Sequence, residues 1–342
     1  MEKKEYFEWL NIARGIGIFL VIVGHAIADT FGRKNFISGT IFNLIYSFHM
    51  PLFFFISGFL SYKIFNVTKK EQKKEFILKK IVRLLVPYFF IGIIYMILDL
   101  FLAKYESLPT SDNVILNLFL GTNPNFQLWT LYTLFMCSLL TCLLNKLKVK
   151  DIFILSCLMF ILSLFVKCPA SFVNDTLRSY IYFVIGIIVN KNLEKIKNFI
   201  TSNGKNKAKN VAIVILIVVL FLIGNVIRNV SQNSTIIRQG IVLITAITGI
   251  FLTILVSIFI EKKNNSLINK ITNTIGKYGM DIYIMGNLPQ VFIRTIFGSV
   301  LGLPIGIVFI ISVLAGIILP IIVSKYIVRK LKVLRILVLG QV

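Results

Sequence analysis

The sequence predicts an all-α fold: a polytopic membrane bundle of about ten transmembrane helices with both termini cytoplasmic. Three observations carry that reading. Of 342 residues, 57% are hydrophobic and 15% charged, and the mean hydropathy is +0.86, far above that of a water-soluble domain. The apolar residues collect in stretches long enough to cross about 30 Å of hydrocarbon. The basic residues are confined to the short segments between those stretches.

The stretches fall at 10–30, 41–63, 84–103, 127–146, 151–167, 177–191, 210–227, 238–260, 279–297 and 303–325. With the N-terminus inside, cytoplasmic segments hold 28 of the 37 Lys and Arg, against Arg33, Lys34, Lys104, Lys167, Arg178, Arg228, Arg238 and Arg294 outside. Arg14 lies within the first stretch. Excess positive charge stays on the cytoplasmic side, so this bias sets the orientation. The first stretch is longer than a signal-peptide core and contains Arg14, so it is expected to remain as a helix. The outer segments are short, the longest being 104–126, which leaves no room for a fused extracytoplasmic domain. One membrane domain over 1–342 is expected, without visible internal repeats.

A net charge of +23 raises nucleic acid as a partner. Basic residues distributed as topology signals facing anionic membrane lipids account for it instead. Cys137, Cys142, Cys157 and Cys168 lack paired spacing and read as small apolar fillers. In 63–83, Phe76, Ile77, Lys80, Ile81 and Leu84 recur at helical spacing, which predicts an amphipathic interfacial helix feeding the third stretch. The segment 192–209 reads as a solvated linker.

The chain has two histidines, His25 and His49, both in apolar runs where an ionisable group points to function. Arg14 and His25 are eleven residues apart, three helical turns plus about 20°, which puts them on one face about 16 Å apart. The alternative for Arg14 is a side chain that snorkels to the headgroups. Gly15, Gly17 and Gly24 allow a second helix to approach closely. Topology sets His49 in the same half of the membrane as His25. Pro51 should kink the second helix beside His49 and free the Ser47 carbonyl. No Asp, Glu or third His is near in sequence, so a general base is the better reading than a metal pair. Asn225, Asn287 and Gln290 are further polar groups within stretches. Asp99 reads as interfacial, Asp281 as the partner of Lys277 one turn away, and the tyrosines and Trp129 as an aromatic belt.

The runs EWLNIARGIGIFLVIVGH and FHMPLFFFISGFL, in that order and spacing, closely resemble the signature of the membrane acyltransferase-3 family, in particular its fucose 4-O-acetylase-like members. QLWTL near the fourth stretch and GKYGMDIYIMGN at the ninth extend the resemblance along the chain. It implies a multi-pass enzyme of a bacterial cell membrane that moves an acyl group, usually acetyl, from cytoplasmic acetyl-CoA to a hydroxyl of a cell-surface or exported glycan or glycolipid. It maps Arg14, His25 and His49 onto the family's arginine and two histidines, and Lys80 and Arg83 onto the basic pair that meets the CoA phosphates. No metal is implied.

This sequence departs from the family at three places. Lys-x-x-Arg replaces Arg-x-x-Arg, keeping the charge and losing one bidentate fork. Asn11 stands where an Asp often precedes the arginine. Gly286 stands where a Tyr-x-x-His motif has its histidine. Some relatives carry a fused esterase-like domain; this chain is expected either to acylate its acceptor within the bundle or to pass the group to a separate extracytoplasmic transferase. A transporter or flippase for an anionic or glycan substrate is the competing class, and a sensory or racemase-associated module a third. Glycan modification that tracks acetyl-CoA separates the first two.

Overall fold

In the computed structural model, residues 7–32, 36–102, 114–194, 207–230, 235–264 and 266–341 are described, and every regular element among them is a helix. The side chain of Asp99, the loop residues Arg33, Lys34 and Lys104, and most of the 192–209 linker lie outside that description. Seven described segments are long and apolar enough to cross a membrane: Glu8–Thr30, Phe36–Asn66, Lys70–Leu98, Ser171–Lys191, Val211–Arg228, Ile236–Lys262 and Ile305–Val328. The sixth predicted stretch is longer than its apolar run, because its helix begins at Ser171. The other three hold shorter pieces: Trp129–Leu143, Val149–Leu162 and an interrupted segment over 279–300.

Prolines locate the interruptions. A proline lacks an N–H and its ring clashes with the carbonyl four residues back, so it favours a first turn or a place beside a widened turn; Pro320, inside Ile305–Val323, stands just before the π turn Ser324–Val328. Pro289 therefore sits in the first turn of Asn287–Ile293, and the preceding helix, Gly279–Met285, stops before it. Pro51 likewise sits in the first turn of His49–Ser61, after a break at Ser47 and Phe48. Pro87 follows a π-helical turn over Ile81–Leu85. The basic segment is accordingly a turn over Tyr62–Asn66 and then a helix, Lys70–Lys80, that buries no residue and runs through the π turn into Val86–Leu102.

We number the helices that matter below as α1 (Glu8–Thr30), α2 (Phe36–Tyr46), α3 (His49–Ser61), α4 (Leu267–Lys277), α5 (Gly279–Met285), α6 (Asn287–Ile293), α7 (Ile305–Val323) and α8 (Lys332–Leu339). The chain divides into two compact units, one of residues 1–56 and 192–325, the other of residues 57–191 and 326–342.

In the first unit α1 is the central helix, packed against α2, α4, α5 and α7. A Cβ on Gly15 would lie 2.0 Å from the Thr272 carbonyl oxygen, and one on Gly276 would lie 2.1 Å from that of Asn11. The two backbones touch, and glycine alone permits it. Polar groups clasp the same contact. Asn11 Nδ2 donates to the Asn273 carbonyl at 3.0 Å and to its Oδ1 at 2.8 Å, while Glu8 accepts from Asn269 at 3.1 Å and from Asn273 at 2.8 Å.

An aspartate at position 11 could not donate, which gives the family departure there a physical reason. Asn11→Asp is expected to cost about 1–3 kcal/mol, seen as a lower melting temperature of the purified protein. Unchanged melting would remove the clasp from the account.

In the second unit the Phe183 carbonyl lies where a Cβ on Gly58 would be, 1.8 Å away. Asn145 donates to the Ile64 and Val67 carbonyls at 3.1 and 3.2 Å and accepts from Lys73 at 2.7 Å. These bonds tie the basic turn to the core of that unit. Cys137 and Cys142 are buried and unbridged, as fillers should be.

Candidate active site

Arg14 and His25 are each partly buried on α1. Along the stripe they share, Arg14 and Ile18 meet Gly279, Ile22 meets Gly286 and Asp29 pairs with Arg294, all on α5, α6 and the π turn that follows, while the His25 ring meets Tyr46 of α2. The Arg14 stem runs against Gly279, where a Cβ would meet its Cδ at 3.2 Å, and Ile22 fills the space a Cβ on Gly286 would need, at 2.6 Å. Arg14 is thus seated within the helix packing along its stem. Gly286 also approaches the Gly316 carbonyl, 2.9 Å from its Cβ position. No side chain fits at 286, because α1 and α7 close on that point.

His49 is 1% exposed and begins α3. Its Nδ1 lies 2.9 Å from the Ile45 carbonyl oxygen. A carbonyl only accepts, so Nδ1 carries the proton and Nε2 is left with its lone pair. The sequence pointed to Ser47 as the carbonyl freed by Pro51; the imidazole in fact takes that of Ile45, one turn back. The reason is that the helix breaks at Ser47 and Phe48, before the proline, so Ile45 no longer sits in an uninterrupted ladder.

The two histidines are joined through Tyr46. Its ring stands 4.5 Å from that of His49 and 6.2 Å from that of His25, edge-on to both, and stacks on Phe42 at 3.8 Å. Gly24 admits it, since a Cβ there would lie 2.9 Å from Tyr46 Cε2. Tyr46 closes α2 three residues before His49 opens α3, a spacing that signals more than a place in an aromatic belt. Among the described residues no set of three or more His, Cys, Asp or Glu side chains converges.

Asp281 corrects a second reading. It is 0% exposed and accepts a hydrogen bond from the Ser324 hydroxyl across helices, while Lys277 stands over the Tyr278 ring at 5.9 Å. The local pair with Lys277 gives way because residue 278 ends α4 and Asp281 opens a new helix. Asn225 donates to the Phe221 carbonyl of its own helix at 2.8 Å, while its Oδ1 is enclosed and unbonded.

Lys80 and Arg83 lie in the second unit, at the end of the Lys70–Lys80 helix and in the π turn after it. Lys80 Nζ approaches Ser61 Oγ at 3.4 Å and the Phe76 ring at 5.5 Å. Arg83 Nη1 donates to the Leu339 carbonyl at the end of α8, at 3.1 Å. The following residue, Gly340, has φ of +58°, and a Cβ on it would lie 2.3 Å from the Val82 carbonyl oxygen. A left-handed glycine ends the helix and seats it on the basic turn. Lys80 and Arg83 thus bring two positive charges to the turn on which α8 ends.

No curated protein and no solved structure matches the chain. Its sequence matches the acyltransferase-3 family, described as an acyltransferase domain, over residues 7–328. That match begins one residue before α1, ends five residues past α7, and includes parts of both compact units, so the chain belongs to the membrane acyltransferase-3 family.

Proposed function

We propose that the protein is an O-acetyltransferase of the bacterial cell membrane, one membrane domain of ten spans with both termini inside, that moves acetyl from cytoplasmic acetyl-CoA to a hydroxyl of a cell-surface or exported glycan or glycolipid. The observation that carries this reading is the His25–Tyr46–His49 cluster in a chain of this family: a buried imidazole with one nitrogen fixed by a carbonyl and the other left with its lone pair.

In the proposed reaction Lys80 and Arg83 hold the donor's phosphates. An imidazole Nε2 takes the proton of the acceptor hydroxyl, and that oxygen attacks the thioester carbonyl. The carbon–sulfur bond breaks, the thiolate leaves and receives the proton, and the products are an O-acetyl ester and free coenzyme A. Arg14, three helical turns from His25 on the same face, lines the path along which the acyl end of the donor would run to reach it.

The experiment is acyl transfer from isotopically labelled acetyl-CoA in membranes containing the full-length protein, with surface-glycan esters read by mass spectrometry. Labelled ester that depends on the protein is expected. Replacing both Lys80 and Arg83 by alanine should raise the donor KM by about 10–100-fold, as for two charge-assisted bonds at about 1.5–3 kcal/mol each with partial compensation. Protein-dependent passage of glycan without ester would overturn the proposal in favour of transport.

A further inference from the structure

Three buried polar atoms without hydrogen-bond partners lie together beside the His25 face of α1. Gln290, on α6 and 0% exposed, donates from Nε2 to the Ile22 carbonyl at 2.9 Å, while its Oε1 is enclosed and unbonded. Arg294, one turn further along, pairs through Nη2 with Asp29 Oδ2 at 2.9 Å, and its Nη1 is enclosed and unbonded. Arg294 opens a π-helical turn, Arg294–Val300, a distortion common where a helix serves a site.

The third atom is on α7, which returns antiparallel to this strip. Two contacts fix the register: a Cβ on Gly316 would lie 2.9 Å from Gln290 Cγ, and one on Gly298 would lie 3.7 Å from Val308 Cγ1. Arg294 is midway between Gln290 and Gly298, and Ser312 is midway between Gly316 and Val308, so Arg294 and Ser312 face each other. Ser312 is fully buried and its Oγ is unbonded. Hydroxyls inside helices ordinarily donate back to a carbonyl three or four residues earlier. Thr248, Thr253 and Ser257 of this chain all do so, and Ser312 does not. On α1, Ile22 and Asp29, held by Gln290 and Arg294, bracket His25 three residues before it and four after.

We propose that Gln290, Arg294 and Ser312 form the subsite that holds the hydroxyl-bearing sugar of the acceptor beside His25. The inference rests on the acyl-transfer reading and adds to it where the acceptor binds and by which bonds. The donor and acceptor pattern selects the ligand. Gln290 Oε1 only accepts, Arg294 Nη1 only donates, and Ser312 Oγ does both. A carboxylate or phosphate offers no proton to Oε1. Adjacent sugar hydroxyls each donate and accept, and so satisfy all three atoms.

The test uses the full-length protein in cells lacking their own copy, with surface-glycan acetyl ester as one readout and the melting temperature of the purified protein as the other. Val and Thr differ at position 312 only by the hydroxyl. Ser312→Val and Gln290→Leu are expected to lower ester at least tenfold while melting within about 2 °C of the wild type; Ser312→Thr should restore most of the ester. Wild-type ester levels in both Ser312→Val and Gln290→Leu would overturn the subsite. So would a loss of ester matched by a large fall in melting temperature, which marks a packing role. Loss confined to Arg294→Gln would show an anionic ligand and overturn the sugar assignment. If the wild type itself forms no ester, the acyl-transfer reading fails first and takes the subsite with it.

Discussion

His25→Ala in the full-length protein is expected to lower acetyl transfer by about 10²–10⁴-fold, the range over which a positioned acid or base contributes, with the protein still inserted and monodisperse. The same range is expected for loss of the basic nitrogen of His49, but there the design must respect a second role. His49 Nδ1 bonds the Ile45 carbonyl at the break between α2 and α3, beside a longer bond from the Phe48 N–H, so His49→Ala removes a base and the shorter of two bonds to that carbonyl together. His49→Asn separates the two: an amide N–H can still reach Ile45, and no basic nitrogen remains. Transfer should fall as far as in His25→Ala while the melting temperature stays near that of the wild type.

Tyr46 links the rings, at 4.5 and 6.2 Å, so the histidines should behave as a unit and the double variant should be no slower than the worse single one. Multiplicative losses would mean that the two imidazoles act independently. Near-normal transfer in His25→Ala would remove it from the chemistry altogether.

Much of this site could be read from spacing alone. A helix that buries Gly15, Gly17 and Gly24 fixes where Arg14 and His25 point, and both ended on the predicted face because α1 runs unbroken from Glu8 to Thr30. Contacts across a gap between helices leave no such trace in the spacing. Asp281 was paired with its sequence neighbour Lys277 because nothing in the sequence shows that α4 ends between them, or that Ser324, over forty residues away, meets the carboxylate. Tyr46 looked like a belt residue until Gly24 was seen to make room for its ring.

Prolines marked the breaks, but the sequence placed the ninth span as one piece because Gly286 and Pro289 interrupt it without any loss of hydropathy. Gln290 was noted only as polar. Its unbonded Oε1 is a property of the packed state, invisible before α1 and α7 close around it.

The contact between α1 and α4 carries the largest expected effect on stability. Gly15 and Gly276 are reciprocal: each occupies the spot where the other helix presents a backbone carbonyl, with 2.0 and 2.1 Å to the Cβ that is missing. A flexible side chain in the way could rotate aside, but a backbone oxygen cannot, so any Cβ forces the helices apart over their whole contact. Gly276→Val should therefore reach or exceed the upper end of the usual cost of overpacking, about 3 kcal/mol, and break the Asn11 and Glu8 hydrogen bonds beside it.

Against a total stability of about 5–15 kcal/mol, that loss should show as little extractable folded protein and a much lower melting temperature. Because α1 carries both Arg14 and His25, whatever folded protein remains should also transfer acetyl poorly. Gly240→Ala is the matched control, since a Cβ there meets nothing within 4 Å. Alanine is the better helix former by about 0.5–1 kcal/mol, so that variant should melt at or slightly above the wild-type temperature. A Gly276→Val protein that extracts and melts like the Gly240→Ala control would show that α1 and α4 do not touch, and the placement of the Arg14–His25 face would fall with that contact.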